Sequence, residues 1–557
     1  MFRRDQTLYI RLAERWAKQE QSVGHYRLRP PIIDSITFRD EHGAPLTLDV
    51  ETYPHQVQVK TKVGCFDWTF LDAETLLARL PAGRYELIFD TQADRGETDR
   101  RGSTLHGVRN VAYTTSARVL ENEITRQNDQ RFVVRMLIEA TAGSALLVNV
   151  TPRLAYNRSI PVVEDAFDEA KNRWRDWFRA APPVLDKYRK QYNYAWWIMR
   201  AGLMNTRYFF TREALVPSKI HYVGVWHWDQ FFHALAYRHL DTKLAEDQLR
   251  ILLDHQQPNG MIPDAIHDEG LITHLTLPVE ADVTKPPLMA WTVLKLFEKS
   301  HRVDFLQEVY EPLTRWHNWW MRDNCDEHGL SVYRHPFSSG LDDSPLWDYG
   351  MPVAAPDLNT YLCVQLESLA RIADHIGETE AAAQHRAEAQ ILFERMIKVM
   401  WDEERGVFNA LNGKGPIPVL TPFHLMPLWL CDLSSGMRQR LLQHLTDPET
   451  FWPQWPLPTV AINDPKFDPW QMWRGPTWVN INYLFIEALT RNGDHALARE
   501  LRLKTLDLVM QQQDIFEYYN PLTGERPPKA APIFGWTSAV FIDLAIQETE
   551  QTVMVAK

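Results

Sequence analysis

Hydrophobic and polar residues alternate along the first third of the chain, between about Pro31 and Pro152. Short runs with a period of two and many β-branched residues are typical of half-buried strands, and Gly, Pro, Asp and Asn separate these runs. The clearest runs are residues 47–51, 56–60, 84–89 and 131–137. A series of short antiparallel strands predicts a β-sandwich-like domain.

The pattern changes near Lys187, where apolar residues begin to recur every three or four positions, as they do in amphipathic helices. It predicts about a dozen helices, near residues 188–209, 229–240, 242–256, 286–299, 304–323, 357–376, 378–401, 421–432, 434–446, 475–492, 494–512 and 535–549. Alternating short and long connections suit paired helices closed into a double ring, an (α/α)6 barrel, and an open helical array is the alternative.

We therefore expect a mainly α protein with two domains. Residues 1–186 form the N-terminal β-rich domain and end in a linker helix from Glu164 to Ala181, and residues 187–557 form the barrel. A length of 557 residues is too great for one core, which agrees with this division.

Composition and charge exclude several classes of protein. Apolar residues make up 45% and charged residues 24%, as in a globular protein, and the net charge of −12 leaves no basic surface for nucleic acid or an anionic membrane. The absence of a long uncharged apolar run argues against a transmembrane helix, and the amino terminus has no apolar segment of a signal peptide. The four cysteines lie far apart, which predicts buried thiols and a cytoplasmic location.

Two acidic motifs are the main candidates for chemistry. Ser339–Pro345 contains Asp342, and Phe516–Gly524 contains Glu517, and both are turn-rich segments crowded with aromatic and small polar residues. Two carboxylates that converge on an aromatic-lined cavity can hydrolyse a glycosidic bond. The alternative is that both are ordinary loop acids.

Two loops before predicted helices add ligand-binding candidates. Asp229 either caps a helix or accepts hydrogen bonds from sugar hydroxyls, in which case Trp226 or Trp228 stacks on the sugar ring. Lys285 precedes a helix start, where the helix dipole disfavours a cation, so it either holds an anionic or hydroxyl group or is solvated. Asp264 follows a turn and is expected to be exposed.

A third loop, Trp470–Trp478, surrounds one arginine with three tryptophans. Arg474 is therefore either a cation–π residue of the core or a clamp on a ligand.

Five segments, GVWHWDQFF, KPP, SGLDDSP, WRGPTW and FEYYNPLTG, occur in this order and resemble glycoside hydrolase family 63 over about residues 187–557. That family includes processing α-glucosidase I, bacterial α-glucosidases and mannosylglycerate hydrolases, and its barrel is related to those of trehalase and glucoamylase. The resemblance implies an (α/α)6 catalytic barrel that hydrolyses α-glycosides with inversion, with Asp342 as the general acid and Glu517 as the general base. Family members often have Asn after the catalytic Asp, whereas this chain has Asp343.

The residues and the resemblance together predict the substrate-binding residues Trp226, Trp228, Asp229, Lys285, Gly340, Trp473, Arg474, Tyr518 and Trp536. No metal or other cofactor is expected. The expected partner is a small oligosaccharide or glycoside, with no nucleic acid and no membrane, and assembly into a homo-oligomer is compatible with the sequence.

We expect an exo-acting, inverting α-glycosidase of a short α-glucoside or α-mannoside, and a neutral disaccharide is the favoured substrate. A glucosylglycerate or mannosylglycerate hydrolase is the alternative, in which the cation Lys285, Arg474 or Lys529 would grip the glycerate carboxylate. A non-catalytic carbohydrate-binding protein and a lyase or epimerase on a similar barrel are further alternatives.

Overall fold

The computed structural model describes residues 1–13, 30–154, 156 and 158–556. The chain divides into two compact units. Within the described residues, the first unit ends at Ala180 and the second begins at Ala181. Each unit has its own type of secondary structure.

The first unit contains two antiparallel sheets within the described residues. The strands are β1 Phe2–Arg4, β2 Thr7–Ile10, β3 Ile33–Asp40, β4 Asp49–Thr52, β5 Val57–Thr61, β6 Gly64–Phe70, β7 Thr75–Arg79, β8 Gly83–Gln92, β9 Arg95–Asp99, β10 Gly102–His106, β11 Asn110–Thr115, β12 Arg118–Asn128, β13 Arg131–Ala140 and β14 Ala145–Thr151. One sheet has the order β1-β2-β3-β8-β13-β12 and the other the order β4-β5-β6-β7-β14-β11-β10-β9.

The two sheets share one hydrophobic core, as the alternating pattern predicts. In β13 every second residue from Phe132 is buried, which turns one face of the strand inward. Phe38 of β3 stacks on Phe66 of β6 with ring centroids 4.1 Å apart, and this contact joins the sheets. Helix α1, Val163–Ala180, packs within this unit against Leu77 and Leu147.

The second unit is helical. Its helices are α2 Arg189–Ala201, α3 His227–Tyr237, α4 Thr242–Leu253, α5 Met289–Ser300, α6 Val303–Asp323, α7 Pro356–Ile376, α8 Thr379–Met400, α9 Ser435–Thr446, α10 Val479–Arg491, α11 His495–Met510 and α12 Gly535–Ala556. Shorter 3-10 helices are Asp186–Tyr188, Pro336–Ser339, Pro345–Tyr349 and Pro422–Trp429. Two-residue and three-residue strands are Leu203–Met204, Ala214–Leu215, Val225–Trp226, Ala265–His267, Gly270–Ile272, His274–Leu275, Ala281–Asp282, Trp401–Asp402, Val407–Phe408, Leu411–Asn412 and Gly415–Pro416.

Each of the twelve predicted helical segments contains a helix, and several predicted bounds are wrong, among them the start of α10 at Val479 instead of residue 475 and the end of α12 at Ala556 instead of residue 549. The first helix ends at Ala201 instead of residue 209, and α5 begins at Met289 instead of residue 286. The segment expected to be helical over 421–432 is the 3-10 helix Pro422–Trp429. This helix begins with Pro422 and has Pro427 in its interior. Proline cannot donate the backbone hydrogen bond that an α-helix requires in its interior.

Six helical segments contact one another in a closed cycle. Helix α3 packs on α5, α5 on α7, α7 on the 3-10 helix Pro422–Trp429, this helix on α10, α10 on α12, and α12 again on α3. The remaining helices α2, α4, α6, α8, α9 and α11 pack against members of this cycle. All residues of α3 are buried, as expected for a helix surrounded by others.

The long connections that lead into the ring carry the sequence motifs. Segments ending in Trp226, Lys285 and Trp473 lead into α3, α5 and α10, and those with Asp342 and Glu517 lead into α7 and α12. Of the four free thiols, Cys363 is buried and Cys431 is exposed, so the prediction of four buried thiols is wrong. Among the helices that the structure describes, none has the length and apolar character that a membrane span requires.

Candidate active site

The turn that presents Asp342 depends on a glycine. The 3-10 helix Pro336–Ser339 ends at Gly340, which has φ 73°. A Cβ at this position would lie 2.3 Å from Cζ2 of Trp228, so only glycine lets the backbone pass over the indole. Ser339 Oγ accepts a hydrogen bond from the N–H of Leu341 (2.9 Å) and fixes the turn. Asp342 Oδ1 is buried and has no hydrogen-bond partner among the described residues.

Asp343, the next residue, is fully engaged. Its Oδ1 accepts a hydrogen bond from the N–H of Trp473 (2.8 Å), and its Oδ2 accepts one from Nε2 of Gln471 (2.9 Å). Its carbonyl accepts a hydrogen bond from Nη1 of Arg474 (3.0 Å). Asp343 therefore joins two loops, whereas Asp342 keeps an oxygen available for chemistry.

Glu517 is held by the backbone of a neighbouring segment. Its N–H donates to the carbonyl of Ala531 (2.9 Å), and its Oε2 accepts a hydrogen bond from the N–H of Ala531 (3.0 Å). The following turn is closed by Asn520, whose Oδ1 accepts hydrogen bonds from the N–H groups of Leu522 (2.9 Å) and Thr523 (3.2 Å). The side chain of Glu517 is only 4% exposed.

Asp229 lies in the first turn of α3, not at its N-cap. The helix begins at His227 and Trp226 occupies the capping position, so the capping interpretation of Asp229 is wrong. Burial raises the pKa of Asp229 well above its usual value, and the charge of Asp342 adds to this effect while Lys285 opposes it. Asp229 is therefore a buried member of the same carboxylate cluster.

Lys285 and Asp264 form a buried ion pair beside Asp342. The Lys285 Nζ lies 2.9 Å from Asp264 Oδ1 and donates a hydrogen bond to the carbonyl of Phe337 (2.6 Å). Asp264 is 1% exposed, so the expectation of an exposed acid is wrong. The strand Ala265–His267 directly after it pairs with Val225–Trp226, which draws the acid inward.

Four predicted aromatic residues and Trp478 form one continuous wall. Trp228 packs edge-to-face on Trp536 (ring centroids 5.6 Å apart) and against Trp473 (6.1 Å). Trp473 stacks on Trp478 at 3.7 Å, and Trp478 stacks on Tyr518 at 4.6 Å. Because Gly340 packs on Trp228, this wall adjoins the turn that carries Asp342.

The remaining predicted aromatic and cationic residues lie at the margin. Trp226 is half-buried and contacts the rings of Tyr222 (5.6 Å) and His267 (5.3 Å). Arg474 pairs through Nη2 with Oδ2 of Asp348 at 2.5 Å, so its observed partner is a neighbouring loop instead of an aromatic face. Lys529 is exposed.

The two motif carboxylates lie close enough to influence each other. Burial raises the pKa of Asp342 to about 7, an effect opposed by Lys285 and increased by Asp264 and Asp343. Burial also raises the pKa of Glu517 to about 8, and the charges of Asp229 and Asp342 add to it. A pair of this kind can keep a proton on one carboxyl group near neutral pH while the other accepts one.

Sequence reasoning missed Tyr222 and the burial of Asp264. The charge of Glu517 is the largest of the influences that raise the pKa of the Tyr222 hydroxyl well above its usual value, and Asp342 and Asp229 also contribute. Tyr222 therefore faces the carboxylate cluster. Its position a few residues before the Trp-His-Trp-Asp run is the signal that could have marked it. No group of three or more His, Cys, Asp or Glu side chains within the described ranges could hold a metal ion.

Comparisons with known proteins agree on one family. The model of the mannosylglycerate hydrolase MGH1-like glycoside hydrolase domain matches residues 222–537, more than half of the chain. The mannosylglycerate hydrolase of Thermus thermophilus is 27% identical over 409 residues, which are 60% of this chain and 96% of that protein. The glucosylglycerate hydrolase of Mycolicibacterium hassiacum is 24% identical over 58% of this chain and 92% of that protein.

The chain is also similar to a solved structure that covers most of its length. The crystal structure of a bacterial glucoamylase complexed with acarbose matches 93% of this chain and 89% of its own chain, with a TM-score of 0.58 at 13% identity. The likeness shows that a β-rich region and a helical region of this kind occur together in one chain.

Proposed function

Because the chain belongs to the mannosylglycerate hydrolase MGH1-like glycoside hydrolases of family 63, we propose that it hydrolyses, with inversion, an α-glucoside or α-mannoside of a small hydroxy acid such as glycerate. Family membership makes it a glycoside hydrolase. The two relatives named above support the acidic aglycone, and they differ in the sugar. The observation that carries the proposal is that Asp342 and Glu517 share one buried carboxylate cluster beside an aromatic wall.

Asp342 is the proposed general acid. A glycosidic oxygen is a poor leaving group, so a protonated carboxyl group must give it a proton as the bond to the sugar breaks. Asp342 Oδ1 has no protein partner among the described residues, and burial raises the pKa of the group to about 7. Both features suit a carboxyl group that holds a proton until the substrate oxygen arrives.

Glu517 is the proposed general base. Its Oε2 is held by the N–H of Ala531, which leaves Oε1 to accept a proton from water as that water attacks the anomeric carbon. Inversion requires roughly 6.5–9.5 Å between the two carboxyl groups to accommodate this water. The raised pKa of Glu517 implies that only a fraction of the substrate-free protein carries the correct charges at neutral pH.

The sugar ring is proposed to bind between the aromatic wall and Asp229. A pyranose presents an apolar C–H face to indole rings and hydroxyl groups to carboxylates, and Trp228, Trp536 and Asp229 offer both kinds of partner. We further propose that the closed cycle of six segments with its outer helices is an (α/α)6 barrel and that the loops before the ring form a pocket for a single sugar end, which makes the enzyme exo-acting.

Proton NMR of the first product tests the stereochemistry. During hydrolysis of α-glucosylglycerate or α-mannosylglycerate, the β-anomer of the free sugar should appear before mutarotation produces the α-anomer. Early release of the α-anomer would show retention, and Glu517 would then have to act as a nucleophile.

A neutral disaccharide is the second candidate substrate, and one observation favours it. Lys285 and Arg474, the cations first considered for a substrate carboxylate, already pair with Asp264 and Asp348. A panel of glucosylglycerate, mannosylglycerate, glucosylglycerol and α-glucobioses decides between the candidates. The proposed function requires the highest kcat/KM on a glycerate glycoside.

A further inference from the structure

The proposed substrate carries a carboxylate, and the two cations first predicted to bind it are already paired with carboxylates of the protein. Lys285 is buried against Asp264, and Arg474 shares Asp348 with Lys466, whose Nζ lies 3.0 Å from Asp348 Oδ2. A carboxylate that enters the site is bound most strongly by a cation that has no other partner and is not fully hydrated. The chain contains such a residue outside the predicted motifs.

Lys219 lies in a tight turn that is fastened to the segment beside Glu517. The N–H of Tyr222 donates to the carbonyl of Ser218 (2.7 Å) and closes the turn. Ser218 Oγ donates to the carbonyl of Pro532 (3.1 Å), and the N–H of Gly535 donates to the carbonyl of Pro217 (2.7 Å). The start of the turn is therefore fixed by two adjacent residues to the stretch that follows Ala531, the residue that holds Glu517.

The far end of the same turn faces the carboxylate cluster. The ring of Tyr222 packs on Trp226 (5.6 Å) and Phe534 (6.1 Å), and Glu517, Asp342 and Asp229 all act on its hydroxyl. The Cα atom of a residue three positions earlier lies no more than about 10 Å from that of Tyr222. Lys219 is thus placed beside the site and outside the sugar-binding wall.

The Lys219 side chain combines solvent exposure with partial desolvation of its ammonium. Its side chain is exposed to solvent, yet the surrounding protein lowers its pKa to about 8. A lysine in open water keeps its usual pKa, so the lowered value reflects desolvation of the ammonium by the protein around it. None of the described carboxylates forms an ion pair with it.

We propose that Lys219 binds the carboxylate of the aglycone and thereby makes the enzyme prefer acidic glycosides over neutral ones. The inference rests on the proposed function and names the residue that recognises the acid. Family membership does not assign this role, because Lys219 precedes the matched residues 222–537. The ligand class is an α-glycoside of a 2-hydroxy or 3-hydroxy carboxylic acid.

The test is the ratio of kcat/KM on glucosylglycerate to kcat/KM on glucosylglycerol, which differ only in the carboxylate. The wild-type ratio should be about 10- to 100-fold in favour of the acid, as expected for one hydrogen-bonded charge. Lys219→Met should bring the ratio close to one and weaken competitive inhibition by D-glycerate, and Lys219→Arg should keep most of the preference. Lys414→Met is the matched control, since Lys414 is an exposed lysine in another turn.

A pH series adds a readout that a structural role would not change. The wild-type ratio should fall as pH rises through about 8, where Lys219 loses its proton. The Lys219→Arg ratio should stay constant over that range, because a guanidinium keeps its charge. The titration of Asp342 and Glu517 affects both substrates alike and cancels in the ratio.

The outcomes separate this inference from the proposed function. A wild-type enzyme that prefers the acid while Lys219→Met, shown to be folded by circular dichroism, keeps that preference would overturn the role of Lys219 alone. Loss of the preference in Lys529→Met instead would assign the role to Lys529 and overturn the inference in the same way. A wild-type ratio near one would overturn the proposed aglycone and the inference with it.

Discussion

Two sites in the helical unit contain buried carboxyl groups whose pKa values are shifted in opposite directions. One is centred on Asp543 of α12, and the other contains Asp342 and Glu517 in the loops before the ring. Comparison of the two shows how hydrogen bonding separates a structural acid from the acids that we propose to be catalytic.

Asp543 has every acceptor site occupied. Its Oδ1 accepts a hydrogen bond from Arg238 Nη2 (2.8 Å) and lies 2.6 Å from His239 Nε2. Its Oδ2 accepts hydrogen bonds from Tyr483 Oη (2.6 Å) and Gln547 Nε2 (2.7 Å). Although burial alone raises it, the Arg238 charge and these bonds hold the pKa of Asp543 far below its usual value.

The group that contains Asp342 and Glu517 lacks such hydrogen-bond partners. Asp342 Oδ1 has no hydrogen-bond partner in the described chain, and Glu517 has one backbone donor, so burial dominates and both pKa values rise. A carboxyl group of this kind costs folding free energy, which is typical of catalytic groups. The difference lies in the donors and not in burial, since Glu517 is nearly as buried as Asp543.

The largest expected effect is on turnover. Asp342→Asn and Glu517→Gln should each lower kcat by about 10²–10⁴-fold, the usual contribution of a general acid or base. Neither change should lower the free energy of unfolding at pH 8, because each removes an underbonded carboxylate. Activity assays and urea unfolding of the purified variants measure both quantities. Near-wild-type turnover in either variant would contradict the proposed role of that residue.

Asp543→Asn should show the reverse behaviour. It leaves the buried Arg238 guanidinium without its counterion, which typically costs about 3–5 kcal/mol. Activity per folded molecule should remain close to wild type. Since the pKa of Asp543 is lowered by folding, its contribution to stability is present above about pH 4 and decreases as pH falls below that value. A variant as stable as wild type in urea at pH 7 would show that the network is not structural.

Much of the fold could be predicted from the sequence because it depends on local periodicity. The alternation in residues 131–137 matches β13, and the 3.6-residue period near 357–376 matches α7, since each pattern reflects which face of one element is buried. The prediction of an α-helix was wrong at residues 421–432, where the proline residues favour a 3-10 helix. The order of contacts around the ring involves residues far apart in sequence and has no local signal.

A short sequence motif can indicate a candidate site when it carries both the proposed reactive group and its turn. Gly340 and Asp342 lie in one such turn, and Gly340 packs on Trp228. Asp264 and Lys219 escaped prediction for one physical reason. The burial of an acid and the desolvation of a lysine depend on neighbours far away in the sequence, Lys285 in the one case and the segment after Ala531 in the other.

The pH dependence of kcat/KM provides a smaller but sharper test of the reactive group. With Asp342 near 7 and Glu517 near 8, the acid carries the lower pKa of the pair. Only molecules with Asp342 protonated and Glu517 ionised react, so the bell-shaped profile should be flat between about pH 7 and 8 and should fall on both sides. The lower of the two pKa values sets the break on the acid side, which therefore reports Asp342. The higher value sets the alkaline break, which reports Glu517. An optimum well below pH 6 would contradict the raised pKa values of the two groups.

The smallest expected effect distinguishes Asp342 from its neighbour. In Asp343→Asn the Oδ1 can still accept the N–H of Trp473, and the amide of Gln471 can turn to accept a hydrogen bond in place of donating one, so the loop should stay in place. The change removes a negative charge that raises the pKa of Asp342, so that pKa should fall by less than about one unit. The acid-side break of the kcat/KM profile should therefore move to lower pH while the alkaline break stays, and kcat should change less than about 10-fold. Movement of the alkaline break instead would assign that break to Asp342 and reverse the order of the two pKa values.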